Sequence, residues 1–287
     1  MNICKKIILI PFGFLFGWTL VANAAVDAKQ SLADPKPTFS NVVMPIVPPT
    51  TKPTRLLFIG NSFSFYNNGI HNHLGGLIRS SGDWKIKKNK LRLSTLSGGH
   101  IYQHSADLTY LINSPSDNWQ AVVLQGHSNE SIHPKKMSRF IGSTTHAVQQ
   151  ILAKGMQPIL FMTWGYKGQP KMSENIANAY TKLANKLKIL VVPVGLAFAQ
   201  AEEQLGNIEL FVPDVLGIDD TQSLTYRKDW KHPSAAGTYL AASVFYSVLY
   251  QRSPEGLIYH ATLDKETALA LQKLSWQVTQ SFYSQIL

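Results

Sequence analysis

Five short, largely apolar runs recur along the chain, at residues 55–59, 90–93, 121–124, 158–162 and 189–194. Runs of this length, bounded by turn-forming residues, read as buried strands. Between and after them the spacing of apolar positions predicts helices over 70–80, 102–112, 135–154, 173–187, 233–250 and 263–281. Strands that alternate with helices imply a parallel sheet covered on both faces. The expected fold class is therefore α/β, a three-layer α/β/α sandwich around a flavodoxin-like parallel sheet. Ligands of such sheets bind beyond the carboxyl ends of the strands. Ser62, Gly99 and Gln125 all fall at strand-to-loop transitions of that kind.

The first 53 residues follow another pattern. Lys5 and Lys6 precede an uncharged, mostly apolar run from residue 7 to 21, and Ala22-Asn23-Ala24 follows as a small-x-small cleavage site. That is the order of an export signal peptide, and 15 residues interrupted by Pro11 and Gly13 are short for a membrane span. Residues 1–24 are expected to be a cleaved signal and residues 25–53 a proline-rich tether, with Pro35, Pro37, Pro45, Pro48, Pro49 and Pro53 favouring extended chain. The remaining domain is then 54–287. The protein is expected to be exported, to the periplasm or the medium, with no stable membrane insertion after cleavage.

Composition narrows the chemistry. Hydrophobic residues make up 45% and charged residues 15%, which excludes a disordered or fibrous chain. The single cysteine, Cys4, lies in the leader, so the mature chain has no thiol for a disulfide, a cysteine-based zinc site or a nucleophile. Net charge is +10, or +8 once Lys5 and Lys6 leave with the leader. Only Lys85, Lys87, Lys88, Lys90 and Arg92 cluster, with no nucleic-acid signature beside them, so no nucleic-acid partner is expected. His71, His73, His100 and His104 lack a third ligand at metal-binding spacing, so no metal is expected.

Two motifs carry candidate chemistry. Gly60-Asn61-Ser62 ends the first strand, where a tight turn would lift the serine hydroxyl above the sheet; a plain helix cap would use the same residues. Near the other end, Asp229 stands three residues before His232, close enough to hold one ring nitrogen while the other faces a nucleophile. Pro233 and Ser234 then open a helix, so a surface histidine beside a helix start is the bland reading of that motif.

Together, an early serine and a late Asp-x-x-His on an alternating strand–helix chain resemble the SGNH hydrolases, or GDSL esterases, over roughly residues 55–256. Gly60-Asn61-Ser62 is similar to their first block. Ser97-Gly98-Gly99, followed by His100, looks like the second, whose glycine amide points at the oxyanion; the family pattern favours Gly99 over Gly98. Asp229 and His232 match the last block. The third block departs from the common Gly-x-Asn: it reads Gln125-Gly126-His127-Ser128-Asn129, and strict overlay puts Ser128 at the asparagine position. It is more similar to the Gln-Gly-Glu-Ser-Asn stretch of the sialate O-acetylesterase branch, with His127 in place of the glutamate.

The resemblance implies a serine esterase with Ser62, Asp229 and His232 as its triad, a chemistry that needs no cofactor. The oxyanion would be held by the Ser62 and Gly99 amides and the Gln125 side chain, with Asn129 as the alternative side-chain donor. The implied substrate is a short acyl ester, acetyl on a carbohydrate, as the only expected partner. A lipase or thioesterase of longer acyl esters, and a non-catalytic carbohydrate-binding module on the same fold, are the rival readings. Trp164, just after the fourth strand, could line the cleft or pack in the core.

Overall fold

The computed structural model describes residues 37, 39–49 and 52–286. The expected signal peptide lies outside the described residues, as does most of the first half of the expected tether.

Five parallel strands form the central sheet: β1 (Arg55–Gly60), β2 (Lys90–Thr95), β3 (Ala121–Gln125), β4 (Gln157–Phe161) and β5 (Leu190–Val192), in the order β2-β1-β3-β4-β5. This is the flavodoxin-like order, and the chain reverses direction across the sheet at β1 and β3. The register aligns Gly60 with Thr95, Ile59 with Leu124, and Gln125 with Phe161, so the loops after β1, β2, β3 and β4 leave from one edge. Every residue of β3 is buried, as are residues 56–60 of β1, which is why these strands are continuous apolar runs rather than alternating ones.

The helices are α1 (Ser62–Phe65), α2 (Ile70–Ser80), α3 (Ser105–Ile112), α4 (Met137–Ala153), α5 (Pro170–Leu187), α6 (Val194–Gln204), α7 (Ala235–Tyr250) and α8 (Lys265–Phe282). α3, α4 and α5 pack in sequence, while α2, α6 and α8 each pack on α7. Phe58 of β1 and Phe161 of β4 meet Phe245 of α7 edge-on, at 5.3 and 5.2 Å between ring centroids. All of residues 236–250 are buried, so α7 is apolar on every side, as a helix enclosed by other helices and the sheet must be.

Two expectations change. The strand predicted over 189–194 stops at Val192, and after Pro193 the chain enters α6, a helix not foreseen from the sequence. The described part of the expected tether is also not free. Asn178 on α5 accepts from the Val43 N–H (2.7 Å) and donates to the Asn41 carbonyl (2.9 Å). Asn185 likewise accepts from the Ile46 N–H (3.0 Å) and donates to the Met44 carbonyl (2.9 Å). The Gln251 amide holds the Pro49 carbonyl. Residues 39–49 are thus a strap on the domain, and the packed unit starts before residue 54.

Between α6 and α7 lie four short strands: β6 (Phe211–Val212), β7 (Val215–Ile218), β8 (Leu224–Tyr226) and β9 (His232–Pro233). β6 pairs antiparallel with β9, and β7 with β8 as a hairpin.

Candidate active site

The serine side of the site grows directly out of β1. Asn61 caps the short helix α1, its side chain accepting from the Phe63 N–H at 3.1 Å. Ser62 is therefore the first residue of a helical turn, and its own N–H has no intrahelical acceptor. A Cβ at Gly60 would come within 2.5 Å of Gln125 Oε1 and 2.7 Å of Ser64 Oγ, so any larger residue there would displace the Gln125 and Ser64 side chains that hold the turn.

Gln125 clamps this elbow from β3. Its Oε1 accepts from the Asn61 N–H (3.0 Å) and the Ser64 hydroxyl (2.7 Å). Its Nε2 donates to Asn61 Oδ1 (2.8 Å) and to the Gly126 carbonyl. The side chain is fully engaged and buried, so it is not the oxyanion donor that the resemblance implied; the amide is consumed in holding Asn61. Asn129, the alternative, does not line the cavity around Ser62, and its buried Oδ1 has no partner.

His232 completes the contact. Its Nε2 lies 2.8 Å from Ser62 Oγ. Its Nδ1 is hydrogen-bonded to Asp214 Oδ1, not to Asp229. Asp229 is exposed and has no hydrogen-bond or ion-pair partner among the described residues, which corrects the expected triad acid. The cause is the β6–β9 ribbon. Val212 pairs with His232, so Asp214, two residues beyond Val212, is carried to the imidazole across 18 positions of sequence. Meanwhile Trp230 and Lys231 are fixed through their carbonyls, which accept from the Lys167 N–H and Trp164 Nε1 (both 2.9 Å). With the Asp214 carboxylate accepting the Nδ1 proton, Nε2 is left to accept from the serine hydroxyl.

Aromatic rings set the imidazole plane. Tyr66 stacks on His232 at 4.4 Å, and Phe63 meets it edge-on at 5.8 Å. Burial, and secondarily the Asp214 charge, push the Tyr66 phenol above its ordinary pKa, so it stays neutral beside the site. Trp164 is a core residue rather than a cleft residue. It is fully buried between Phe63 (4.4 Å) and Phe198 (4.1 Å), and it ties the serine turn to the histidine loop.

The second block also shifts by one residue. The Gly99 N–H donates to the Leu96 carbonyl at 2.9 Å, which takes it away from any oxyanion. The turn so closed needs a left-handed residue, and Gly98 provides it at φ 63°. Gly98, not Gly99, lines the cavity, and its N–H has no acceptor among the described residues. The Gly99 carbonyl accepts from Asn61 Nδ2 at 2.9 Å, which ties this turn to the serine elbow.

The cavity measures about 470 Å³ and is lined by Ser62, Gly98, His127, Ser128 and His232 among others. His127 stacks on His100 at 4.5 Å, and its N–H donates to Glu130 Oε1 at 2.7 Å while Glu130 Oε2 holds His100. Burial first, then the positive groups His100, Lys136 and Lys231, push the His127 imidazole down to about 4, so it is neutral at pH 7. Neither Asp214 nor the role of His127 as a wall residue is marked by a local motif. A cavity of about 620 Å³ between the strap, α5 and α6 contains none of these groups. No group of three or more His, Cys, Asp or Glu among the described residues converges as a metal site, and no described helix is long and apolar enough to cross a membrane.

The sheet order and the helices on both faces make a three-layer α/β/α sandwich, a fold shared with solved SGNH-type hydrolases. Among solved structures, the chain is similar to a DUF4886 family protein from Bacteroides uniformis, with a TM-score of 0.55 and 16% identity over 78% of this chain and 93% of that one. It is also similar to the acetyl xylan esterase AlAXEase, with a TM-score of 0.50 and 14% identity over 67% of this chain and 98% of that one. A candidate SGNH hydrolase from Slackia heliotrinireducens matches with a TM-score of 0.49 and 23% identity over 68% and 98% of the two chains. No protein-family model matches the chain, and neither does any curated protein sequence.

Proposed function

We propose that this chain is an exported serine esterase that hydrolyses short acyl esters, acetyl groups on carbohydrate above all, through Ser62, His232 and Asp214. The observation that carries the reading is His232, bridging Ser62 Oγ through Nε2 and Asp214 through Nδ1. In this reaction Ser62 attacks the ester carbonyl as its proton passes to His232 Nε2, and Asp214 stabilises the imidazolium. The Ser62 and Gly98 N–H groups, both without internal acceptors, hold the oxyanion. His232 returns the proton to the leaving alcohol, and water then releases acetate from the acyl-serine by the same steps.

Export rests on the leader pattern around Lys5, Lys6 and Ala22-Asn23-Ala24. The acetyl-carbohydrate preference is supported by the likeness to an acetyl xylan esterase and by the polar walls His127 and Ser128. One observation favours longer acyl chains instead. Val215 lines the cavity and continues into an exposed apolar hairpin with Ile218, Leu224 and Tyr226. A chain-length series of nitrophenyl esters separates the two. Activity is expected to fall from acetyl to octanoyl, and the opposite trend would move the substrate to lipid-like esters. Reaction with a fluorophosphonate probe tests the esterase reading itself. Labelling of the wild type but not of Ser62→Ala is expected, and an unlabelled wild type overturns it. Amino-terminal sequencing of exported protein is expected to begin at Ala25.

A further inference from the structure

Resting on that esterase reading, we propose that Arg227 and Lys231 form an anion-recognition subsite, so that the alcohol part of the substrate carries a carboxylate, sulfate or phosphate.

Both side chains belong to residues that line the Ser62 cavity. Five other described cations are ion-paired: Lys90 and Arg92 with Asp117, Lys167 with Glu209, Lys171 with Glu174 and Arg252 with Asp83. Arg227 and Lys231 have no carboxylate partner of this kind; the Lys231 ammonium lies 5.9 Å from the Tyr166 ring centroid. The only acid lining the cavity is Asp214, and His232 occupies it. The cavity therefore presents two unneutralised cations and no spare negative charge. The neighbouring wall senses the same field, because Lys136 and Lys231 both disfavour protonation of His127.

Both cations are anchored by their main chain. The Arg227 N–H donates to the Asp214 carbonyl at 2.8 Å, and the Lys231 carbonyl accepts from Trp164 Nε1. Their stems thus start from fixed points beside the acid and the base, while their heads stay free for a ligand. A guanidinium fork and an ammonium in one concave site suit a carboxylate or a tetrahedral oxyanion. An acetyl group has no room for a charge, so the anion must belong to the leaving alcohol.

The test compares three matched acetyl esters on the full exported protein: an O-acetylated methyl glucoside, the corresponding glucuronide, and the corresponding 6-sulfate. The expected result is kcat/KM about tenfold or more higher for an anionic ester than for the neutral one, with the advantage shrinking as salt rises. A larger gain for glucuronide identifies a carboxylate, and a larger gain for sulfate identifies a tetrahedral anion. Arg227→Gln and Lys231→Gln should bring the anionic-to-neutral ratio toward one. Lys228→Gln, a neighbouring exposed cation outside the cavity lining, should keep it. Equal kcat/KM on all three wild-type reactions overturns the subsite while leaving the esterase intact, as does a ratio that Lys228→Gln abolishes equally. No hydrolysis of any ester, together with no fluorophosphonate labelling, removes the esterase reading and the subsite with it.

Discussion

From Leu56 to Ser64 every residue is buried, and the turn that presents Ser62 is tied to β3 by the Gln125 amide and to the Gly98 turn by Asn61. From 205 to 234, the stretch that carries Asp214 and His232, only Leu210, Phe211 and Pro233 are buried. There the scaffold is a two-residue ribbon, a few hydrogen bonds and the contact with Trp164. Ser62 is positioned by formation of the core itself. Asp214 and His232 are positioned by a surface excursion whose opening exposes little apolar area, so it lies at the low-stability end of the molecule. The Asp214–His232 arrangement can therefore be lost without loss of the fold, whereas disturbance of the Ser62 side costs stability.

The sharpest test of this contrast is at its junction. Ser62→Ala should lower turnover of an activated acetyl ester by about 10⁴-fold or more while the urea midpoint hardly moves. Retention of most activity would mean that another nucleophile is at work.

Asp214→Asn comes next, with an expected loss of about 10³–10⁴ in kcat because the wrong imidazole tautomer is favoured. Asp229→Asn, on an exposed and unpaired side chain, should stay within about twofold of wild type. The reverse pattern restores Asp229 as the acid.

A third substitution turns the comparison around. Gln125→Ala strips partners from the Asn61 N–H, Asn61 Oδ1 and the Ser64 hydroxyl, all buried, and should destabilise the fold by about 2–4 kcal/mol in urea titration. A variant of full stability that loses only kcat would return Gln125 to the oxyanion.

The smallest effect is a pH dependence on the cavity wall. His127 has a folded pKa of about 4, below the reference of about 6.5 for a free imidazole. Between those values the unfolded chain binds the extra proton, so this contribution to stability is complete above about pH 6.5 and is lost as pH falls toward 4. His71, His73 and His104 are also shifted down, chiefly by burial, and act in the same direction. The urea midpoint should drop between pH 7.5 and pH 5, and His127→Gln should shallow the drop. An unchanged slope in that variant would show that His127 does not contribute.

The same contrast explains what could be read from the amino-acid order. β1, β3 and β4 are enclosed on both faces, so each is a continuous apolar run visible without a structure, and α2 begins and ends where its spacing predicts. α6 escaped because only Pro193 separates it from the end of β5, and Pro193-Val194 prolongs the apolar run. Ser62 and His232 stand in local motifs. Asp214 does not: its neighbours resemble those of other loop acids, and only the pairing of Val212 with His232 selects it over Asp229. Gln125 was legible as a polar residue at the right strand end, but the direction of its amide is decided by Asn61 and Ser64, which no spacing rule reports.

The strap on α5 has a metric consequence. Asn178 and Asn185 are seven residues apart on a helix, a rise of about 10.5 Å at 1.5 Å per residue. The N–H groups they receive, Val43 and Ile46, are three residues apart, and extended chain covers about 10 Å in three steps. The two lengths are commensurate, and both pins grip the main chain rather than side chains. Replacement of exposed strap side chains such as Ile46 should therefore be tolerated, while Phe39 and Val42 also pack on the core; insertion or deletion of one residue between 43 and 46 puts one pin out of step by about 3.3 Å. Length between the two pins is therefore as strict a requirement on this segment as the apolar contacts of Phe39 and Val42.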